Sequence, residues 1–263
     1  MHLVDIGLNL AHRSFDADRA EVLDRARRAG VIHMVVTGTS LAVSRRAVAL
    51  AERHPGLLSA TAGVHPHDAK HWGDDSSAAL STLAARPQVL AIGECGLDFD
   101  RDFSPRPAQE RCFETQLELA AQTGLPVFLH ERGAHERFTD ILAAFRPRLC
   151  DVVVHCFTGS RAELRRYLDL DAHIGITGWI CDERRGRELQ RIVSDVPVER
   201  LMIETDAPFL TPRDLGPKPP RRNEPAFLPH VLRAVARCRG DEPEALARAV
   251  TATTSRFFGL RIG

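Results

Sequence analysis

Six apolar, β-branched runs in this chain end at a residue able to bind a metal, hold a polar ligand or move a proton. SATAGVH ends at His65, VLAIGE at Glu94, PVFLH at His130, DVVVH at His155, LMIETD at Asp206 and VDIGLN at Asn9. A buried strand gains nothing from an isolated polar tip, because a desolvated polar group is costly unless it is paired. In a closed barrel of parallel strands such tips converge at the C-terminal mouth, where barrels of this kind keep their chemistry. Histidine together with carboxylates at that mouth predicts a metal site of mixed nitrogen and oxygen donors, and such a site suits hydrolysis.

The spacing of the runs supports the barrel. Strand-like segments start near Leu3, Val31, Ser59, Val89, Pro126, Asp151, His173 and Leu201, at intervals of 22 to 37 residues, about one βα unit each. Helical periodicity fills the gaps over residues 16–29, 41–52, 108–123, 134–145, 161–170, 184–193, 227–237 and 243–257. Pro107 and Gly124 bracket one of these helices, as expected of a start and a stop. Eight strands alternating with helices in 263 residues predict a single (β/α)8 TIM-barrel domain, α/β in class and amidohydrolase-like, over residues 1–263. An open doubly wound sheet would need a glycine-rich phosphate turn after the first strand, and DIGLNLAH lacks one. Residues 211–225, rich in proline and arginine, predict a long loop after the eighth strand.

Charge narrows the function classes. Lys+Arg and Asp+Glu both number 35, so the chain has no global field to gather nucleic acid or a membrane surface. Six cysteines with no C-x-x-C pair fit reduced thiols in the cytoplasm. No run of eighteen apolar residues and no signal-like N-terminus is present, so no membrane partner is expected. The absence of an obvious exposed apolar stripe makes a monomer the default expectation.

Within the expected mouth, His130 and His155 offer neutral imidazoles, Glu94 can bridge cations, and Asp206 can bind a cation or accept a proton from water. Two cations about 4 Å apart can clamp both oxygens of a phosphodiester undergoing displacement. His65, in GVHPHD, is placed to bond a phosphate or protonate a leaving group, with His67 two residues on. Arg132, on the rim, is a candidate phosphate contact, as are some of Arg101, Arg184, Arg185, Arg213, Arg221 and Arg222. Trp179, Phe99 and Phe157 lie near strand ends and are candidates to stack on bases.

GVHPHD, AIGECGLDFDRDFS, PVFLHERGAHERF, VVHCFTGS, IGITGWICDERRG, IETDAPFLTPRDL and RRNEP run in a fixed order over nearly the whole chain. In these strings the sequence closely resembles the TatD family of metal-dependent nucleases. The resemblance implies a cytosolic exonuclease that removes nucleotides from the 3′ ends of single-stranded DNA and RNA, with a role in DNA repair. It implies Glu94, His130 and His155 as metal ligands, Asp206 as ligand or general base, and His65 facing the scissile phosphate. His67, Arg132 and Asn9 would bind substrate. Most members open with D-x-H-x-H; here the segment reads DIGLN, with Gly7 and Asn9 at the histidine positions and Asp5 kept. Losing two imidazoles leaves an oxygen-rich set, which favours Mg²⁺ or Mn²⁺, as one or two ions, over Zn²⁺. The rival readings are an amidohydrolase acting on a small molecule and a non-catalytic binding protein.

Overall fold

The computed structural model describes residues 1–261. Its strands are β1 (Leu3–Leu8), β2 (Val31–Val36), β3 (Leu58–Ala62), β4 (Val89–Asp98), β5 (Val127–Arg132), β6 (Val152–Val154), β7 (His173–Ile176) and β8 (Leu201–Ile203). Alternating with them are α1 (Arg19–Arg28), α2 (Leu41–Arg53), α3 (Asp74–Ala84), α4 (Arg106–Thr123), α5 (His135–Phe145), α6 (Arg161–Asp169), α7 (Arg187–Ile192) and α8 (Leu228–Arg239), and α9 (Pro243–Phe258) closes the series. The sheet runs in sequence order from β1 to β8, and its pairings β3–β4, β4–β5, β5–β6 and β7–β8 are parallel. This is the (β/α)8 class expected from the spacing.

Backbone contacts group the chain into two units. The first takes residues 1–35, 156–165 and the described chain from His173 onward; the second takes residues 36–155 and 166–172. In the first, α9 packs on β1 and β8, and Leu3, Ile6, Leu201 and Met202 are fully buried. In the second, the Phe113 ring of α4 stacks on Phe138 of α5 at 5.1 Å. Such aromatic and aliphatic burial is the main favourable term holding each unit together.

Two departures from the sequence reading position the site. The first is α3, which the periodicity did not predict. Its opening DDSSAA is too polar and small to show an apolar stripe, and Ser76 Oγ instead accepts from Gly73 N at 2.9 Å to fix the entry, with Leu80 fully buried. The second is the length of β4. Glu94 does not end the strand; it lies inside it, and β4 continues to Asp98. The pairing with β5 shifts between Gly93 and Cys95, so Glu94 is the extra residue of a bulge. Bulges beside sites re-aim a side chain. The glycines on either side allow the close approach. A Cβ on Gly93 would lie 2.2 Å from Phe128 O, and one on Gly96 would lie 1.8 Å from His130 O, with φ of +136° and +145°.

Candidate metal centre

The second unit gathers three histidines around one carboxylate. Glu94 is 5% exposed, and its Oε1 lies 2.8 Å from His155 Nε2, 2.9 Å from His130 Nδ1 and 3.3 Å from His65 Nε2. Three of these residues are tied to a neighbouring segment through their backbone. His65 N donates to Thr39 O, Glu94 N to Gly38 O and His155 N to Leu129 O, at 2.8 to 2.9 Å. Burial alone would push the Glu94 carboxyl up, but the facing His155, His65 and His130 hold it well below the usual carboxylate range.

Tautomers divide the histidines by role. His65 is the N-cap of the 3-10 turn Pro66–His71, and its Nδ1 accepts from His67 N at 3.1 Å. A neutral imidazole has one donor and one acceptor nitrogen, so Nε2 carries the proton and faces Glu94 as a donor. Burial, with the charge of His130 second, lowers the His65 pKa to about 4 despite Glu94, so at neutral pH the ring stays neutral. His130 differs. Burial lowers its pKa, but Asp98 and Glu94 outweigh burial and raise it. His130 Nε2 is buried with no hydrogen-bond partner among the described residues, and Asp98 Oδ2 lies 3.6 Å away.

Three imidazole nitrogens thus crowd a single carboxylate oxygen, which has lone pairs for about two donors. A divalent cation held by Glu94, His130 and His155 would resolve that crowding, and Asp98 behind His130 would then orient the ring. His65, Glu94 and His130 present ligand atoms all within 4.8 Å of one another; the tautomer of His65 makes it the donor of that set.

Three contributors escaped the sequence reading. Asp98 is 1% exposed; its Oδ2 is 2.6 Å from His67 Nε2, which fixes that ring. Burial works against the charged form of Asp98, yet His130 and His67 hold its pKa below the usual range. The period-two series Glu94, Gly96, Asp98 carried the signal, hidden by the assumption that the strand stopped at Glu94. The other two are buried glutamines of α4. Gln116 Oε1 accepts from Val64 N at 2.8 Å and its Nε2 donates to Val64 O at 3.0 Å. Gln109 treats Asp98 alike, accepting from its N at 2.8 Å and donating to its O at 3.1 Å. Polar residues seven apart on the apolar face of that helix were the available clue.

Asn9 and Asp206 belong to the first unit, where Asn9 Nδ2 donates to Asp206 Oδ1 at 2.9 Å. Asp206 has φ of +54°, a sparsely populated region for a non-glycine residue, and its N donates to Gly7 O at 2.9 Å. Asp5 is fully buried; it accepts from Thr205 N and Oγ1 at 3.0 and 2.5 Å, and burial pushes its pKa up to about 7. Arg132 Nε donates to Asp100 Oδ2 at 2.8 Å, and the residue is exposed. Arg222 is committed to Asp18 and Glu224, and Arg185 and Arg213 both reach Asp182, so these three serve ion pairs. Among the aromatic candidates, Phe157 is core, Arg106 covers Phe99 and Arg185 covers Trp179. The open rings are instead Phe103, 54% exposed, and Phe209, 49% exposed; Phe103 stands 4.7 Å from the His67 ring.

The fold is that of the amidohydrolase-like barrels. An uncharacterized amidohydrolase of Saccharomyces cerevisiae superposes with a TM-score of 0.85 at 25% identity, over 98% of this chain and all of its own. Within that class, residues 4–259 match the model of the TatD related DNases, and the chain belongs to that family. The TatD homologue YjjV of Escherichia coli K12 superposes with a TM-score of 0.90 at 29% identity, over 98% of each chain. The 3′-5′ ssDNA/RNA exonuclease TatD of Erwinia billingiae is 51% identical over 259 residues, covering 98% of this chain and 99% of its own.

Proposed function

We propose that the chain, working as one domain, is a divalent-cation-dependent exonuclease that hydrolyses single-stranded DNA and RNA from the 3′ end. The observation that carries this reading is the convergence of His155, His130 and His65 on Glu94 Oε1, in a chain of the DNase family. Glu94, His130 and His155 would hold the cation, Mg²⁺ or Mn²⁺, as one or two ions; the imidazoles favour Mn²⁺ of the two. When bound, the cation supplies Lewis-acid polarisation of the phosphate and a more acidic water.

The remaining chemistry belongs to the side chains. His65 presents an Nε2–H donor suited to a phosphate oxygen. His67, its ring fixed by Asp98, is a second donor to the substrate. Asp206, just past β8 with one oxygen fixed by Asn9, is assigned as ligand or as the acceptor of the water proton, and Asn9 as a substrate contact. Arg132 would bind a neighbouring phosphate. Free cysteines support a reducing compartment, the cytoplasm, where such an enzyme would serve DNA repair or turnover. Among the described residues no helix is long and apolar enough to cross a membrane. The working unit is assigned as a monomer.

The test is digestion of 3′- and 5′-labelled single-stranded DNA with Mg²⁺, Mn²⁺ or EDTA, alongside Asp206→Asn. Stepwise loss from the 3′ end, stopped by EDTA and slowed at least a hundredfold by the substitution, is expected. Absence of cleavage with either cation would return the chain to a small-molecule hydrolase or binding role.

A further inference from the structure

The first unit carries a second group of ligand-type side chains that the exonuclease reading does not use. Cys181 ends the 3-10 turn Gly178–Cys181 after β7. Asp214 lies in the segment between β8 and α8, and His230 sits in the first turn of α8. A thiol sulfur, a carboxylate oxygen and an imidazole nitrogen from these three residues all lie within 4.8 Å of one another. Asp214 Oδ1 is 2.6 Å from His230 Nε2, and Arg237 Nη2 is 3.9 Å from Asp214 Oδ2.

We propose that Cys181, Asp214 and His230 form a zinc site, separate from the Glu94 centre, that ties the β8–α8 segment to β7 and α8. One thiolate, one imidazole and one carboxylate match the donors of a tetrahedral Zn²⁺ with water in the fourth position, whereas Mg²⁺ and Ca²⁺ prefer oxygen alone. Binding replaces the Cys181 S–H bond by a Zn–S bond and releases the proton to solvent. Two anionic ligands then neutralise the dication, and Arg237 is left to orient the carboxylate oxygen opposite the metal. Ligand bonds of about 2.0–2.1 Å set adjacent nitrogen and oxygen about 3.3 Å apart, so the Asp214–His230 contact needs to open by less than about 1 Å. A Cys–His nucleophile is the competing use of such a trio. Cys181 is only 3% exposed, whereas reactive cysteines are partly accessible.

Thiolate coordination has a signature that the Glu94 centre does not share, since no cysteine belongs to that cluster. Metal-stripped full-length protein titrated with Co²⁺ is expected to show a near-ultraviolet thiolate-to-cobalt charge-transfer band, displaced by one equivalent of Zn²⁺. Cys150→Ser, at an exposed cysteine, keeps the band. Cys181→Ser abolishes it, and His230→Ala weakens Co²⁺ binding at that band at least tenfold. His230→Ala, outside the buried core, decides the matter if Cys181→Ser does not fold. No band in the wild type, or a band unchanged by His230→Ala and Cys181→Ser, overturns the proposal. Neither readout uses nuclease activity, so the zinc site and the exonuclease reading fail independently.

Discussion

Replacing Glu94 by glutamine tests whether one carboxylate organises the centre. His155 and His130 stand at 2.8 and 2.9 Å from Oε1, and a hydrogen bond to a charged group contributes about 1.5–3 kcal/mol. Two of them amount to about 3–6 kcal/mol. Glutamine keeps the shape and one neutral acceptor oxygen, so in metal-free protein it should cost about 1.5–3 kcal/mol. Alanine leaves the imidazoles facing a void and should cost about 3–5 kcal/mol. The folded pKa of Glu94 lies well below its ordinary 4.5, so this stability is present above that pH and is lost as pH falls toward the folded value. Urea unfolding at neutral pH therefore reads it in full. The same change removes the one anionic donor among Glu94, His130 and His155. Turnover of 3′-labelled single-stranded DNA at saturating Mn²⁺ should fall at least about a thousandfold, or about 4 kcal/mol. Activity within tenfold of wild type, with unfolding unchanged, would refute both the charge assignment and the ligand assignment.

Cation affinity should rise with pH above about 6.5, by up to about tenfold per unit, until the raised pKa of His130 is passed. The sign follows because His130 holds a proton in the free protein that a cation must displace; a flat Mn²⁺ isotherm across that window would contradict it. Phe103→Ala should raise KM for single-stranded DNA about 5- to 150-fold, from about 1–3 kcal/mol of lost base stacking, with no change in thermal stability because the ring is 54% exposed; an unchanged KM removes it from the substrate path. Gly96→Ala should destabilise the protein by at least about 1–3 kcal/mol and weaken cation binding, since its Cβ would lie 1.8 Å from His130 O. Wild-type melting and Mn²⁺ affinity for that variant would show that the β4–β5 approach is dispensable. Asp98→Asn should lower the pKa of His130 and free the His67 ring, readable as a shifted imidazole titration by NMR.

Much of this protein is local in origin and so was written along the chain. A run such as DVVVH makes a strand whatever its neighbours, and repeating strand and helix at about one βα unit leaves few topologies, because a buried parallel sheet needs helices over it. The polar tips His65, Glu94, His130 and His155 were legible for the same reason, since apolar runs interrupted by titratable groups are costly unless those groups meet. Family strings such as GVHPHD and IETDAPFL carried the rest of that reading. What the tertiary structure alone decided depends on pairing and direction. The β4 bulge that re-aims Glu94, and the continuation of that strand to Asp98, exist only against β5. Division of labour among the histidines turns on which nitrogen meets Glu94 and which meets His67 N or Asp98, a matter of ångströms that residue identity does not encode. The gathering of Cys181, Asp214 and His230 from three separate segments likewise had no counterpart in any sequence spacing, because proximity between elements is set by packing and not by separation along the chain.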